Sequence, residues 1–444
     1  MTGYACDDVV GRGLIDRVTD ARRFWRVLLL IVLGAFALRV GYVMLAKRHE
    51  PLLGDQIYYS AQADTLARGH GFTDPRDGSQ EAEHPPLTAL ALTPTSWVME
   101  RFDPGGRHVL AQRLTMTIFG AAVVLVIGLL GRSVAGIRAG LVAAGVAAVY
   151  PNLWINDGLV MSETLATLAV ALAILLAYRF IRHPRATTAA WLGVACGLAM
   201  LARAELGLLL PLMVLPVALM LHALPVKRQL GLFLLAGVAA LAVVSPWLIA
   251  NLTRFDEPVL FSTNDGLTLC GANLHRTYYG QGTGLWALDC AAFPVPHGDR
   301  SVVSNALRSD GLHFIRDHLG RVPVVVAVRI ARVWSLYAPG MMAHYNVNEG
   351  RDVEVSWAGF FAFWVLVPLA VVGGVQLRRR RVPITPLVSQ FVIVTVTAAA
   401  IYGIPRFRVP AEVSLVVLTA VAIDAWWGRR SEPETRPVAV EAPA

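Results

Sequence analysis

Charge is scarce in this sequence. Asp, Glu, Lys and Arg make up 16% of its 444 residues and hydrophobic residues 55%, whereas ordinary soluble domains are about 25% charged and about 45–50% apolar. That deficit excludes a soluble globular protein. No Rossmann fingerprint is present, and Gly280-Gln281-Gly282-Thr283-Gly284 lacks the Lys-Ser/Thr of a P-loop, so it reads as a turn and no nucleotide-bound substrate is expected. A convincing signal-cleavage site is missing after Ala21–Lys47. This stretch is too long for a signal core and is expected to stay as a first membrane helix. No soluble domain and no clear internal repeat stand out.

Long apolar runs dominate instead. Ten stretches are long enough to be read as membrane spans: 24–46, 111–130, 139–156, 159–178, 187–202, 206–224, 230–251, 356–377, 385–404 and 409–427. The net charge of +8 lies in short clusters between them, where topology needs it, so it reads as orientation and not as nucleic-acid binding. With the N-terminus in the cytoplasm, the inner segments hold Arg22, Arg23 and Arg26; Arg132 and Arg138; and Arg179, Arg182 and Arg185. Further along they hold Lys227 and Arg228, Arg378 to Arg381, and Arg429 and Arg430. Counting 321–340 as another span would move Arg378 to Arg381 outside. That stretch also carries Arg321, Arg329 and Arg332, so 313–340 is predicted to lie in the outer interface as an amphipathic helix. The expected fold is an all-α polytopic membrane bundle over 1–430, with a disordered cytoplasmic tail over 431–444.

Two outer segments, about 47–110 and about 252–355, are too long to be mere connectors. The first predicts a helix from Asp55 to Arg68 closed by Gly69 and a second after Pro85-Pro86. The second contains Cys270 and Cys290, which are able to pair on an oxidising side of the membrane. Cys6 and Cys196, inside and within a helix, are expected to stay unpaired.

The candidate functional residues lie at the outer helix ends. Asp55 opens the first outer helix, where it reads either as a cap or as a functional carboxylate. Tyr58 and Tyr59 follow at helical spacing, as belt aromatics or as the wall of a site. His84 is held in the stiff His84-Pro85-Pro86-Leu87 turn. Asp157 and Glu163 flank one outer hairpin and are expected to converge on the side of Asp55. Arg203 and Glu205 occupy the next hairpin and can pair with each other. Arg406 and Arg408 break the positive-inside pattern, which points to an anionic partner suited to guanidinium forks.

Taken together, these pieces resemble the GT-C glycosyltransferases, in particular the protein O-mannosyltransferase and aminoarabinose-transferase group, glycosyltransferase family 39. The resemblance rests on Gly54-Asp55-Gln56-Ile57-Tyr58-Tyr59, His84-Pro85-Pro86-Leu87, Gln112-Arg113-Leu114, and Tyr150-Pro151 followed by Ser162-Glu163. It continues in Leu201-Ala202-Arg203-Ala204-Glu205, Ser245-Pro246-Trp247, Ser262-Thr263-Asn264 and Pro405-Arg406-Phe407-Arg408-Val409-Pro410. It implies a GT-C-like helix bundle with two long outer loops bearing interfacial helices. It further implies an inverting enzyme with a polyprenyl-phosphate sugar donor, in which Asp55 matches the catalytic aspartate and Arg113 lies in a matching motif. The eukaryotic mannosyltransferases carry Asp-Glu where this chain has Asp55-Gln56, and a large luminal domain that this chain lacks.

The residues themselves agree with that implication. No nucleotide sugar is available outside the cytoplasm, so a lipid-linked donor is expected there. Asp55 is then the base for an acceptor hydroxyl, and Arg406 and Arg408 hold the departing phosphate. The acceptor class, whether glycan, lipid or protein, stays open. So does a divalent metal, with His84 and Glu163 as its candidate contacts. The other partners expected are membrane lipids, with no nucleic acid, and the expected location is the plasma (inner) membrane with an extracytoplasmic site. A transporter or flippase is the competing class, although it calls for mid-membrane charges and broken repeats. The topology is testable. A cysteine placed at Arg380 should resist a membrane-impermeant maleimide applied to intact cells, and labelling from outside would overturn the assignment.

Overall fold

The computed structural model describes residues 5–431, so the tail predicted over 431–444 lies almost wholly outside the described residues. Apart from one isolated bridge, Thr73 to Gln80, the described residues contain helices and loops without strands. Long runs of Ala, Leu and Val favour this outcome in a bilayer, because a helix satisfies its own backbone polar groups where no water can.

Six helices are long and apolar enough to cross a membrane, which makes the chain an integral membrane protein. They lie in α1 (Ala5–Tyr42), α4 (Val109–Ala135), α6 (Ser162–Arg182), α8 (Val226–Arg254), α12 (Val353–Arg379) and α14 (Val409–Ser431). The other predicted spans fall on shorter helices: α5 (Ile137–Val149), α7 (Ala186–Ala202), the broken stretch Ala204–Leu219, and α13 (Thr385–Ala400). Proline is one cause of the shortening. Pro151 follows α5 and opens a separate turn, while Pro211 and Pro216 interrupt the 204–219 stretch, where each removes a backbone donor.

α14 is the centre of the bundle, with 83% of its apolar window buried, and packs against α12, α5, α6 and α4. α1 is peripheral, 22% buried, and leaves Leu29, Leu30 and Leu33 exposed for lipid. Small residues let the inner helices approach closely: Gly128, Gly131, Gly140, Ala143 and Ala144 line the seam between α4 and α5. At one end of the bundle the basic clusters come together. Arg182 donates to the Ser133 carbonyl, Arg138 pairs with Asp424 at 3.1 Å, and Tyr178 donates to the Pro383 carbonyl at 2.7 Å.

At the other end the two long segments are knitted together. The first supplies α2 (Asp55–Ala67) and α3 (Leu87–Met99), and the second α9 (Asp265–Ala272), α10 (Arg300–Asp317) and α11 (Val322–Val333). Arg300 of α10 reaches Asp74 at 2.5 Å and Glu81 at 3.0 Å, and the Thr263 N–H donates to the Ala82 carbonyl at 2.8 Å. α11 has only 12 residues, too few to cross, and α10 ends before it at Asp317. Cys270 and Cys290 form a disulfide that closes the loop after α9. In the chain-entropy model a loop of this length is worth about 3 kcal/mol. A Cys270→Ser, Cys290→Ser double variant should therefore open the 265–318 region to protease at correspondingly lower denaturant. Unchanged cleavage would show that α9–α10 packing alone holds it.

Candidate active site

The site is built where α1 ends. Tyr42 donates to Asp352 at 2.5 Å and Lys47 pairs with it at 2.6 Å, while Arg113 of α4 donates to the carbonyls of Lys47 and Glu50. The chain is thereby turned so that Gly54, at φ +56°, passes beneath Asn348 and Glu349. A side chain there would strain the backbone. Gly54 is the N-cap of α2 and no side chain caps the helix, so Asp55 is the first helical residue and its carboxylate is free for other partners. Capping, one of the two sequence readings of Asp55, does not occur.

Asp55 Oδ2 accepts from Arg406 Nη1 at 3.0 Å, and His84 Nε2 stands 3.5 Å from Oδ1. Arg406 also contacts the Glu349 carboxylate and lies 3.7 Å from Glu163. Arg351 bonds Glu349 and Asn156 and lies 3.6 Å from Glu163; Arg203 pairs with Glu205 at 2.6 Å and with Glu163 at 3.1 Å. Three guanidiniums thus interleave four carboxylates. Several buried atoms in this cluster have no hydrogen-bond partner: Glu163 Oε2, Arg351 Nη2, Arg406 Nε and His84 Nε2. Unused buried polar capacity of this kind costs stability and so calls for an explanation.

The electrostatics follow from the geometry. Burial alone would raise Asp55, but the Arg406 guanidinium and then His84 outweigh it and hold the carboxyl far below the usual range. Burial would lower His84, yet the Asp55 charge beside it leaves it raised. Tyr59 is pushed up by burial and then by Asp55. Tyr59 stacks on His84 with centroids 5.2 Å apart, and Tyr58 meets both rings edge-on and donates to the His84 carbonyl at 3.3 Å. Both tyrosines are buried supports of the imidazole, not belt aromatics.

Two cavities meet at this cluster. The smaller, about 260 Å³, has Asp55, Tyr59, His84, Arg203, Glu205 and Arg406 in its wall, with Ala202, Ala400, Ile401 and Phe407 along its apolar side. The larger, about 970 Å³, is framed by the 252–355 segment through Arg276, Gln281, Trp286, Tyr345 and Glu349. Asp55, Asn264, Thr268, Tyr402 and Arg406 line both.

Three sequence-predicted residues point elsewhere. Asp157 does not converge on Asp55: it pairs with Arg39 of α1 at 2.6 Å and accepts from Thr164 at 2.8 Å, packed where Gly120 leaves no room for a side chain. Arg408 pairs with Glu412 at 2.6 Å, donates to Ser335 at 2.8 Å and lies over the Phe363 ring. Pro405–Arg408 is a 3₁₀ turn, and with about three residues per turn, side chains two apart diverge. Arg113, as described, clamps backbone. Conversely, sequence reasoning missed Glu349 and Arg351. Their only signal was a charged Asn348-Glu349-Gly350-Arg351 turn just before an apolar helix.

A solved structure of a similar fold carries Zn and sulfate, so the fit of a metal is relevant. Among the described residues no group of three or more His, Cys, Asp or Glu could hold one. Here Arg406 itself occupies the point where Asp55, Glu163 and Glu349 converge. The donor set does not fit a metal.

Residues 83–249 match the family model of dolichyl-phosphate-mannose-protein mannosyltransferases. That stretch includes His84, Glu163 and Arg203 but not Asp55, Glu349 or Arg406. No curated protein matches the sequence. Among solved structures, the Archaeoglobus fulgidus oligosaccharyltransferase in its apo form is 14% identical with a TM-score of 0.55, over 91% of this chain and 51% of that one. The same archaeal enzyme with an inhibitory peptide and a dolichol-phosphate gives 13% identity and 0.53, over 91% and 50%. ArnT from Cupriavidus metallidurans bound to undecaprenyl phosphate gives 17% and 0.41, over 90% and 77%. The chain spans about half the length of the oligosaccharyltransferase it matches. It therefore has a GT-C-like fold and, over residues 83–249, resembles the dolichyl-phosphate-mannose-protein mannosyltransferases.

Proposed function

We propose that the chain transfers a sugar, with inversion, from a polyprenyl-phosphate carrier to a hydroxyl acceptor at the extracytoplasmic face of the plasma (inner) membrane. One observation carries this reading: Asp55 and Arg406 line both cavities. A carboxylate and a guanidinium are thus available together at a place where two substrates can meet. Support comes also from the family model, whose description names a dolichyl-phosphate donor, and from the fold shared with an enzyme solved with dolichol-phosphate.

The smaller cavity takes the donor. Its Ala202, Ala400, Ile401 and Phe407 border, at the ends of apolar helices, suits a carrier lipid, and Arg203 and Arg406 suit its phosphate. The acceptor hydroxyl enters from the larger cavity and attacks the anomeric carbon from the side opposite the phosphate. As the new carbon–oxygen bond forms, the bond to phosphate breaks. The phosphate leaves with the electron pair, and the hydroxyl proton passes to Asp55. A single displacement of this kind inverts the centre.

In the resting site Asp55 is too acidic to be a good base, because Arg406 and His84 stabilise its charge. A phosphate that draws on Arg406 weakens that hold and raises the proton affinity of Asp55. Donor arrival thereby prepares the base. Asp157 and Arg408 have no part in this scheme; both tie helices together.

Two outcomes test the reading. Asp55→Asn should still bind polyprenyl-phosphate sugar but lose about 100-fold to 10,000-fold in transfer rate, the usual worth of a positioned base. Its stability should fall by about 1–3 kcal/mol, because Arg406 and His84 lose an ionic partner. Transfer within about threefold of the parent at saturating donor would eliminate Asp55 as the base. The second outcome concerns pH. His84 is raised above its ordinary 6.5, so its ionic contact with Asp55 contributes stability below that value. The contribution fades as pH rises through the raised one. The thermal midpoint of the parent should decline above pH 6.5, and His84→Gln should flatten that decline. Parallel curves would separate His84 from the Asp55 charge.

A further inference from the structure

We infer that the acceptor is a near-neutral carbohydrate chain of more than one sugar unit, running from Asp55 through the larger cavity and past Arg276 into a recess beside the Cys270–Cys290 disulfide. The inference rests on the transferase reading and adds the acceptor class to it.

Size comes first. At about 970 Å³, the larger cavity lies near the top of the roughly 300–1,000 Å³ found for small-molecule sites, far more than one ring needs. It does not end there. Arg276 also lines a further recess of about 430 Å³, walled by Cys270, His275, Asp289, Phe293 and Phe314. Arg276 stands 3.7 Å from Asp289 at an exposed position and is the lining residue that the two spaces share. A ligand that crosses Arg276 would occupy both as one groove, with the candidate base at one end.

The lining chemistry selects the occupant. Tyr279, Trp286 and Tyr345 in the cavity and Phe293 in the recess offer ring faces along the groove, which suit the C–H faces of pyranoses. Glu83, Gln281 and Asn348 offer acceptors and donors for hydroxyls between those rings. In the cavity Asp55, Glu83 and Glu349 stand against Arg276 and Arg406, and the recess adds Asp289 and Asp310, so the groove carries an excess of carboxylates. A polyanion finds no matching field there. An extended peptide held by strand addition, one of the common modes of peptide recognition, would need a strand edge. The strand-like pairing among the described residues is the single Thr73–Gln80 bridge, and neither residue lines the groove.

The test needs no turnover. The full chain in lipid nanodiscs is titrated with manno-, gluco- and galacto-oligosaccharides of one to four units and with a Ser/Thr-containing peptide, and is separately titrated with undecaprenyl phosphate. In at least one glycan series, affinity should rise tenfold or more with length. Phe293→Ala and Arg276→Ala, both at exposed positions, should flatten that rise to within threefold while the thermal midpoint stays put. Flat binding in every series, or a peptide that binds more tightly than all the glycans, overturns the inference. If the glycan series rises but undecaprenyl phosphate does not bind, the groove stands and the donor reading fails.

Discussion

The Arg406 guanidinium is the constraint on which the site depends. Its side chain is 9% exposed, with Asp55, Glu163 and Glu349 around it. A charge so placed is tolerable only while its partners stay, because removing one partner of a buried pair leaves an uncompensated charge that typically costs about 3–5 kcal/mol. The three carboxylates come from three distant parts of the chain: the first long segment, the start of α6, and the end of the second long segment. Their common arginine therefore fixes how those parts sit on one another. Arg351 and Arg203 extend the same arrangement through Glu163 and Glu205.

The membrane bundle supplies the rigid support. α14 begins at Val409, at the end of the turn that carries Arg406, and runs through the most buried part of the molecule. Arg408 and Glu412 anchor that helix end to Ser335 and Tyr150 through short, fully buried bonds. α6 carries Glu163 in its first turn and is held nearby by the Arg39–Asp157 pair just before it. Charges that look functional in sequence thus divide into two kinds. Some fasten helices, and others face the cavities. The fastening charges are almost wholly buried, whereas most of those at the cavities keep some exposure, as Asp55 does at 25% of its side chain.

The Asp55 carboxyl is depressed first by Arg406 and then by His84, and the His84 imidazole is raised by Asp55, so the three groups are coupled. A ligand phosphate would compete for Arg406, so charge at the smaller cavity would be felt at the wall of the larger one. The coupling needs no moving domain. It follows from one guanidinium shared between two openings and from the strength of Coulomb interactions where solvent is sparse.

The sequence by itself determined the class of the protein. Low charge, long apolar runs and clustered arginines required a helical membrane bundle, because a bilayer leaves the backbone few other ways to satisfy its polar groups. It also marked Asp55, His84, Glu163, Arg203 and Arg406, since charged residues at helix ends next to long loops stand out against an apolar background. It could not separate Arg406 from Arg408 or Glu163 from Asp157. Each pair is close in sequence, and only the local turn and the facing helix decide where a side chain points. Glu349 and Arg351 were invisible for another reason. Nearly 300 residues lie between Asp55 and Glu349, and contact between such distant segments is decided by packing of the whole bundle. The tertiary structure alone brought them to Arg406 and opened two cavities on either side.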